Sequence, residues 1–372
     1  MDFIDLKKQQ DRIREKIDLR IKSVLDHGKY IMGPEVFELE EKLADYVGVK
    51  YCLSCSSGTD ALLIPLMAKN IGPGDAVITT PFTYIATAEV ISLLGAEPIF
   101  VDIYPETYNI NPEKINSALE SAKNKGLTPK AIVSVDLFGL PARYRLLEKI
   151  AKENNLFLLE DAAQGFGGQI RNRKSGSFGH VASTSFFPAK PLGCYGDGGA
   201  IFTNDHELVK IMQSIRVHGT GKDKYQNIRV GVNGRLDTIQ AAILIEKLDI
   251  FDDEILLRNK ISTYYTKNII SQIKKPFVPR EYISSWAQYS LMAASEQKRK
   301  NTISMLKDSN IPSMIYYKIP LHLQDVYKNL GYSTGDFPFS EDAAKRIFSL
   351  PMHPYLLNKE QDKVLEILNK LN

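Results

Sequence analysis

The stretch that decides the fold runs from Ser183 to Gly199 and reads STSFFPAKPLGCYGDGG. Its first five residues are β-branched, small or aromatic, as in a buried strand, and Pro188 ends that strand. Lys190 then stands between Pro188 and Pro191, so the backbone on both sides of it is restricted. The glycines near the end of the stretch leave room for another group to approach the backbone closely.

Two interpretations of Lys190 are open from these residues alone. Most lysines are exposed, so a lysine in a surface turn fits the stretch about as well as a functional one. The functional interpretation is a lysine that forms a Schiff base with a carbonyl cofactor, which needs a flexible amine whose pKa its surroundings can lower. The rest of the chain has to decide between them.

Size and composition indicate a soluble globular protein of two domains. A chain of 372 residues exceeds the usual size of one domain, about 150 residues. We expect a large domain over 1–255 and a smaller α+β domain over 256–372, with the N-terminal helix a candidate to pack on the small domain. The net charge of +3 is small and scattered, so it favours neither a nucleic acid nor a membrane as partner.

The sequence predicts a cytoplasmic protein without a metal site. The N-terminus, MDFIDLKK, lacks the apolar region of a signal peptide, and no apolar run is long enough to span a bilayer. Three cysteines do not make a disulfide framework. Cys52 and Cys55 have the CxxC spacing, but one such pair without a nearby histidine is a weak metal signal, and two small buried residues are the favoured interpretation.

Strand-like and helix-like segments alternate through the first half of the chain. Such a rhythm favours an α/β fold, a mostly parallel sheet covered by helices. Ligands of these sheets bind beyond the carboxyl ends of the strands. Because Thr59, Tyr84, Asp161 and Lys190 all come just after predicted strands, we expect one cleft to hold all four.

The first strand–helix connection has the layout of an anion site. A strand over 49–55 runs into Ser57, Gly58 and Thr59, and a helix follows. Free N–H groups and the dipole at a helix start favour a phosphate. An ordinary N-cap by Ser57 or Thr59 explains the hydroxyls about equally well. Neither a P-loop nor GxGxxG is present here, so ATP and NAD lack their fingerprints.

A phosphate nest, an aromatic ring, a carboxylate and a lysine are the parts that hold pyridoxal 5′-phosphate (PLP). Gly58 and Thr59 would bind its phosphate, and Tyr84 would stack on its pyridine ring. Asp161 would keep the pyridine nitrogen protonated, and Lys190 would hold the aldehyde. Taken singly, Tyr84 could equally be a core aromatic, and Asp161 a structural hydrogen-bond acceptor.

Five motifs then occur together in one order: SGTDAL from Ser57, PFTYIAT from Pro81, EDAAQ from Glu160, SFFPAK from Ser185 and GDGGA from Gly196. With them the chain closely resembles the DegT/DnrJ/StrS family of sugar-nucleotide aminotransferases, almost from end to end. The resemblance implies a PLP-dependent transferase of fold type I, with a mostly parallel seven-stranded sheet. It also implies a homodimer with its active sites at the subunit interface.

The resemblance assigns roles to several residues. Lys190 is the Schiff-base lysine, and Asp161 is the partner of the pyridine nitrogen. Gln164 packs beside the cofactor and reaches its ring oxygen. The phosphate is bound by Ser185 with Gly58 and Thr59, and by Asn233 of the neighbouring subunit. Relatives with histidine in place of the lysine are dehydratases, so the lysine here favours amino transfer.

The implied reaction takes an amino group from L-glutamate and gives it to a keto group of a nucleotide sugar. Lys190, released as a neutral amine, would remove the α-proton of glutamate and return a proton to the cofactor, help typically worth ~10²–10⁴-fold in rate. We therefore expect Lys190→Ala to abolish turnover while the fold survives.

The expected substrate is UDP-2-acetamido-2-deoxy-3-oxo-glucuronate, because the stretch around Lys190 resembles the branch of the family that aminates its C3. There Arg235 would meet the sugar carboxylate, although an ion pair with Asp237 or a neighbouring residue is an alternative. Those relatives tend to have His-Tyr where this chain has Tyr316 and Tyr317, and Tyr316 brings no positive charge. A 3- or 4-keto-6-deoxy nucleotide sugar is the alternative substrate.

Two other classes of protein fit the sequence less well. Some fold-type I proteins are regulators that bind PLP as a sensor, but those usually have an added DNA-binding segment, for which this chain has no spare length. A nicotinamide oxidoreductase lacks its GxGxxG and gives no reason for Lys190. The aminated sugar would serve a surface polysaccharide or a protein glycan.

Overall fold

The computed structural model describes residues 1–223 and 225–370, and all structural statements refer to these. Their α-helices are α1 (Leu6–His27), α2 (Pro34–Val47), α3 (Gly58–Ala68), α4 (Ala86–Leu93), α5 (Ile115–Asn124), α6 (Tyr144–Glu153), α7 (His206–Arg216), α8 (Thr238–Leu248), α9 (Phe251–Asn268), α10 (Glu296–Asp308), α11 (Pro338–Arg346) and α12 (Asn358–Asn369).

Their strands are β1 (Tyr51–Cys55), β2 (Asp75–Thr79), β3 (Glu97–Phe100), β4 (Thr128–Val135), β5 (Phe157–Asp161), β6 (Gln169–Ile170), β7 (Arg173–Lys174), β8 (Val181–Ser185), β9 (Gly199–Thr203), β10 (Tyr282–Ile283), β11 (Tyr289–Met292) and β12 (Ile347–Leu350).

A seven-stranded sheet forms the centre of the larger part, in the order β1-β9-β8-β5-β4-β2-β3. Strands β3, β2, β4, β5 and β8 pair in parallel, and β9 runs antiparallel to both of its neighbours. The predicted α/β fold with a mostly parallel seven-stranded sheet is thus confirmed. Nothing in the residues of β9 predicts that this strand is reversed.

Helices cover both faces of this sheet, because side chains along a strand point alternately to either side. Leu159 of β5 packs in a buried cluster with residues of α3, α4 and α7. Its neighbour Leu158 faces the other side, in a cluster with α5 and α6. Helices α2 and α8 cover that second face at the β9 end, where Phe202 points. With both faces buried, the ligand-accessible positions are the edges where strands begin and end.

The two ends of the parallel strands differ, and the side of the sheet where the strands end is called its carboxyl edge. At the carboxyl edge, β1, β5 and β8 end at Cys55, Asp161 and Ser185, and the chain then turns into loops. At the opposite edge lie the turns that precede strands, such as the one at Gly126 before β4. The cleft described below opens at the carboxyl edge, as expected for an α/β sheet.

A second buried cluster organises the C-terminal part of the chain. The antiparallel pair β11–β12 packs there with the ends of α9, α10 and α12, among them Tyr265, Leu306 and Val364. Helix α9 belongs to both parts, since its Ile255 packs with α2 and α8 while its Tyr265 packs in this cluster. The division between residues 255 and 256, which falls inside α9, stays a prediction.

The N-terminal helix lies on α8. Ile13 and Ile17 of α1 pack against Ile243 of α8 in a small buried cluster. The residues before α1 reach the C-terminal part, where the Phe3 carbonyl accepts a 3.2 Å hydrogen bond from the Met352 N–H. The start of the chain therefore lies against the C-terminal part.

Helices α8 and α9 follow each other closely and are separated only at Asp249 and Ile250. Acidic side chains at 252, 253 and 254 occupy the first turn of α9. Negative charge is favourable at a helix N-terminus and unfavourable at a C-terminus, so this run suits a new start.

Cys52 and Cys55 are buried in β1. No group of three or more potential metal ligands is found within residues 1–223 and 225–370. Over the same residues, none of the helices has the length and apolar character needed to cross a membrane.

Candidate active site

A cleft of about 570 Å³ opens at the carboxyl edge of the sheet. That volume is in the usual range for a small-molecule site. The predicted site residues that line it are Gly58, Thr59, Tyr84, Asp161, Gln164, Ser185, Lys190, Tyr316 and Tyr317. The four residues expected to share one cleft from their positions after strands do share it.

The start of α3 forms one end of the cleft. Ser57 is the N-cap, and its hydroxyl accepts a 3.0 Å hydrogen bond from the Asp60 N–H. As the first two helical residues, Gly58 and Thr59 have N–H groups without an acceptor inside the helix. These N–H groups and the helix dipole suit a phosphate.

Ser185, the last residue of β8, closes this end of the cleft. A Cβ atom on Gly58 would lie 2.5 Å from the Ser185 Cβ, so only glycine allows the two elements to come this close. The Ser185 hydroxyl oxygen accepts a 3.3 Å hydrogen bond from the Phe187 N–H, which leaves its proton for a ligand. The close approach thus adds a hydroxyl donor to the two backbone N–H groups.

Asp161 ends β5 in the middle of the cleft. Its Oδ2 accepts a 2.9 Å hydrogen bond from the Thr87 hydroxyl, and its Oδ1 accepts one of 3.2 Å from the Ala163 N–H. Burial raises the pKa of Asp161, while these two hydrogen bonds and the charge of Lys190 act to lower it. A carboxylate anchored in this way can hold a cationic ring nitrogen in a fixed direction.

Lys190 sits in a tight turn after β8. Its N–H donates to the Phe187 carbonyl at 2.8 Å, and the Cys194 N–H donates to the Phe186 carbonyl at 2.8 Å, so the turn is closed on itself. Burial lowers the pKa of Lys190, and the negative charge of Asp161 partly opposes this. A lowered pKa increases the neutral fraction of the amine, the form that acts as a nucleophile or base.

Gln164 and two tyrosines line the remaining wall. The Gln164 side chain is fixed at both ends, since its Oε1 accepts from the Phe138 N–H at 2.8 Å and its Nε2 donates to the Tyr317 hydroxyl at 3.1 Å. Tyr84 is 58% exposed, and its ring centroid lies 6.4 Å from that of Tyr317. One face of Tyr84 is therefore open for a planar ligand.

Asn233 and Arg235 do not line this cleft. They belong to the loop between α7 and α8, where Asn233 is exposed. Gly234 between them accepts a 3.1 Å hydrogen bond from the Ser56 N–H and donates one of 3.0 Å to the Arg216 carbonyl. The loop is thus tied to the residues just before α3.

The alternative of an ion pair between Arg235 and Asp237 is not supported. Within the described residues no carboxylate lies within 4.0 Å of the Arg235 guanidinium, and its buried Nε has no hydrogen-bond partner. A buried guanidinium nitrogen left unpaired is costly, so a water or a bound ligand would stabilise it.

Thr87 and Ile4 are among the residues at the cleft that sequence reasoning missed. Thr87 lies in the PFTYIAT motif, but nothing in that motif indicates that its hydroxyl reaches Asp161. Ile4 lines the cleft from the segment before α1, where the sequence has no motif at all. The first could have been suspected from its motif, whereas the second depends on a contact made only in the folded chain.

The fold and this cleft define a PLP-dependent aminotransferase. The start of α3 fits the phosphate of PLP, the carboxylate fits its pyridine nitrogen, and the lysine fits its aldehyde. The chain belongs to the DegT/DnrJ/EryC1/StrS aminotransferase family, whose sequence profile matches residues 11–369.

Two curated relatives are similar over nearly the whole chain. The UDP-2-acetamido-2-deoxy-3-oxo-D-glucuronate aminotransferase of Pseudomonas aeruginosa is 48% identical over 359 residues, which cover 96% of each chain. The pleiotropic regulatory protein of Geobacillus stearothermophilus is 40% identical over 365 residues, 98% of this chain and 96% of the relative.

Solved structures agree with the fold. A DegT/DnrJ/EryC1/StrS aminotransferase from Brucella abortus superposes with a TM-score of 0.96 at 49% identity, covering 100% of this chain and 99% of the other. NtdA from Bacillus subtilis, solved with its bound cofactor PMP, has a TM-score of 0.90 at 27% identity, covering 100% of this chain and 85% of the other.

Proposed function

We propose that this aminotransferase transfers the amino group of L-glutamate to C3 of UDP-2-acetamido-2-deoxy-3-oxo-glucuronate. The observation that carries the proposal is Arg235, whose guanidinium has no carboxylate partner among the described residues. A sugar carboxylate would supply the missing acceptor, in a bidentate pair of the kind that arginine forms best. The relative from Pseudomonas aeruginosa, named for this same keto-sugar, supports the choice.

The proposal requires a homodimer, since Arg235 and Asn233 lie outside the cleft of their own chain. Their loop also exposes Ile228 and Val230, which are 55% and 83% accessible. Exposed apolar side chains beside functional polar ones are typical of a surface that a partner covers. In the dimer Asn233 would reach the cofactor phosphate in the partner's cleft, and Arg235 would reach the substrate there.

The residues of the cleft would divide the work as follows. Bound PLP supplies an electron sink that carries the amino group between donor and acceptor. Gly58, Thr59 and Ser185 bind its phosphate, and Asp161 keeps its ring nitrogen protonated. The Lys190 amine removes the proton from Cα of glutamate, a general-base role that its lowered pKa favours. The resulting ammonium would return that proton to the cofactor carbon, and in the sugar half-reaction Lys190 would carry a proton the other way, from that carbon to C3 of the sugar.

A single-turnover experiment tests the substrate. The enzyme is first converted to its amino form with glutamate, and the donor is removed. UDP-2-acetamido-2-deoxy-3-oxo-glucuronate and a UDP-4-keto-6-deoxy sugar are then added separately, and the return of the visible absorption of the aldehyde form is followed. Return with the uronate alone supports the proposal, and return with the 6-deoxy sugar alone overturns it.

Arg235→Ala makes the test specific for the carboxylate. The variant should lose most of its rate with the uronate and little with any neutral keto-sugar that the enzyme accepts, because only the uronate carries the charge that Arg235 would pair with. Equal losses with both would show that Arg235 has a structural role.

A second candidate function is a PLP-binding regulator, which the name of the Geobacillus stearothermophilus relative favours. The same experiment separates it from an enzyme, since a regulator would bind PLP but not pass an amino group to either sugar. We propose a cytoplasmic enzyme whose product enters a surface polysaccharide or a glycan.

A further inference from the structure

Lys247 of α8 is a buried cation that the proposed reaction leaves unexplained. Lys247 is only 1% exposed, and within residues 1–223 and 225–370 no carboxylate oxygen lies within 4.0 Å of its Nζ. The negative charge of Glu254 acts to raise the pKa of Lys247. The Glu254 carboxylate, however, already accepts hydrogen bonds from the Gln9 amide, at 2.8 and 3.0 Å, and from the Tyr355 hydroxyl. A lysine buried without a carboxylate partner is unfavourable for stability, which points to a functional reason.

The Lys247 amine reaches the turn that carries Lys190. Its Nζ donates a 2.6 Å hydrogen bond to the Gly193 carbonyl and lies 4.3 Å from the centroid of the Tyr195 ring. Only Pro191 and Leu192 separate Gly193 from Lys190 along the chain. A second contact from α8, the 2.8 Å hydrogen bond from the Tyr195 N–H to Gln240, holds the same segment.

Gly193 lies close to the residues that begin the Lys190 turn. A Cβ atom on Gly193 would lie 2.5 Å from the Pro188 carbonyl oxygen and 2.7 Å from that of Phe187. The residues on both sides of Lys190 therefore touch each other, and a shift of Gly193 would move the segment that aims the Lys190 side chain. Burial lowers the pKa of Lys247 to about 8, so the amine is largely protonated at neutral pH.

We propose that Lys247 is a positioning residue, whose buried ammonium fixes the turn over 188–193 and with it the direction in which Lys190 enters the cleft. The inference rests on the role of Lys190 in the proposed function. Misplacing a reacting group by about 1 Å can cost on the order of 100-fold in rate, so a fixed turn is worth the burial of one charge.

Lys247→Met tests this, because methionine has a similar length and removes only the charge and the donor. We expect kcat to fall by about 10- to 100-fold with little change in the KM for glutamate. The melting temperature should move by no more than about 4 °C, since the cost of the unpaired Gly193 carbonyl is offset by removal of a buried charge. The matched control is Lys260→Met on α9, where the lysine is exposed, and it should behave as the unaltered enzyme.

Hydrogen exchange on the cofactor-free protein gives a readout that does not depend on activity. The N–H groups of Lys190 and Cys194 are held inside the turn, so their exchange should accelerate by about tenfold or more in Lys247→Met and stay unchanged in Lys260→Met. Faster exchange with a lower kcat supports the proposal. Unchanged exchange, or an unchanged kcat, overturns it.

Tyr195 provides a second route if Lys247→Met does not fold. Tyr195→Leu removes the aromatic face beside the ammonium and should change exchange and kcat in the same direction as Lys247→Met. Tyr195→Phe keeps the face and removes only a buried hydroxyl that has no hydrogen-bond partner among the described residues. Equal behaviour of the two variants overturns the proposal. If glutamate has no effect on the unaltered enzyme, the proposed function fails, and the exchange measurement still decides whether Lys247 holds the turn.

Discussion

The Thr87 hydroxyl is 2.9 Å from the Asp161 carboxylate, at the start of α4 and the end of β5 respectively. Thr87 also pairs at 3.2 Å with the Thr83 hydroxyl. Because the carboxylate only accepts, Thr87 must donate to Asp161 and accept from Thr83. The direction of the Asp161 carboxylate is thus set by a two-hydroxyl chain as well as by the Ala163 N–H.

Thr87→Val should lower kcat by about 10- to 100-fold, the effect of losing a hydrogen bond to a charged group worth roughly 1.5–3 kcal/mol. Valine keeps the shape of threonine and removes only the donor. Thr87→Ser keeps the hydroxyl and should retain most of the activity. Steady-state kinetics of the two variants would contradict this role of Thr87 if the valine variant were as active as the serine variant.

Gly58→Ala should weaken PLP binding by about tenfold or more. The added Cβ would lie 2.5 Å from the Ser185 Cβ and would push the start of α3 away. Titration of the cofactor-free protein with PLP, followed by absorbance, measures this. Gly72→Ala is the control, since the nearest atom to its Cβ would be 3.8 Å away. Equal affinity in both variants would exclude a phosphate site at Gly58.

Mixed dimers should reveal whether Asn233 serves the partner's cleft. Lys190→Ala and Asn233→Ala are each expected to be inactive or nearly so alone. Randomly mixed subunits would form about half hybrid dimers, each with one intact site, and recover about a quarter of full activity. Mixing Lys190→Ala with Asp161→Ala is the control, since both residues line the cleft of their own chain and no intact site can form. Activity assays that find no recovery in the first mixture would refute the shared site.

His353 should make the protein less stable in acid. It is 2% exposed, and burial lowers its pKa from 6.5 to about 4, with Arg258 adding to the effect. Above pH 6.5 the histidine is neutral whether the chain is folded or not. As the pH falls from 6.5 to 4, the unfolded chain binds a proton that the folded chain does not, so about 3 kcal/mol of stability is lost.

Urea unfolding at a series of pH values would measure this loss. His353→Gln should flatten the dependence between pH 6.5 and 4 relative to the unaltered protein, since it removes the group that titrates. His206→Gln, at an exposed histidine, is the matched control. An unchanged pH dependence in His353→Gln would show that other groups cause the acid sensitivity.

Much of the cleft could be predicted because its residues follow strands. Parallel strands present their carboxyl ends at one edge of a sheet, so Asp161 and Lys190 come together whatever the length of chain between them. Local signals also sufficed for the turn at Lys190, where Pro188 and Pro191 fix the backbone. Their catalytic roles stay predictions until the variants are measured.

The rest depends on contacts that no short pattern encodes. Gln164 is held by Tyr317, 153 residues further along the chain, and Lys247 reaches Gly193 across 54. The reversal of β9 has the same origin, because strand direction is decided by how the chain returns to the sheet and not by the residues of the strand itself. Only the folded chain reveals such pairs.

The edge of the sheet opposite the cleft gives the protein a place where the chain can be altered freely. The turn at Gly126 has an exposed, left-handed glycine with φ of 77° and no atom within 4 Å of where a Cβ would stand. Insertions are tolerated best at such tips. A tag or an attachment point for immobilising the enzyme placed there would leave the cleft open to a bulky nucleotide sugar, whereas the same insertion between Ser185 and Lys190 would separate the phosphate site from the amine.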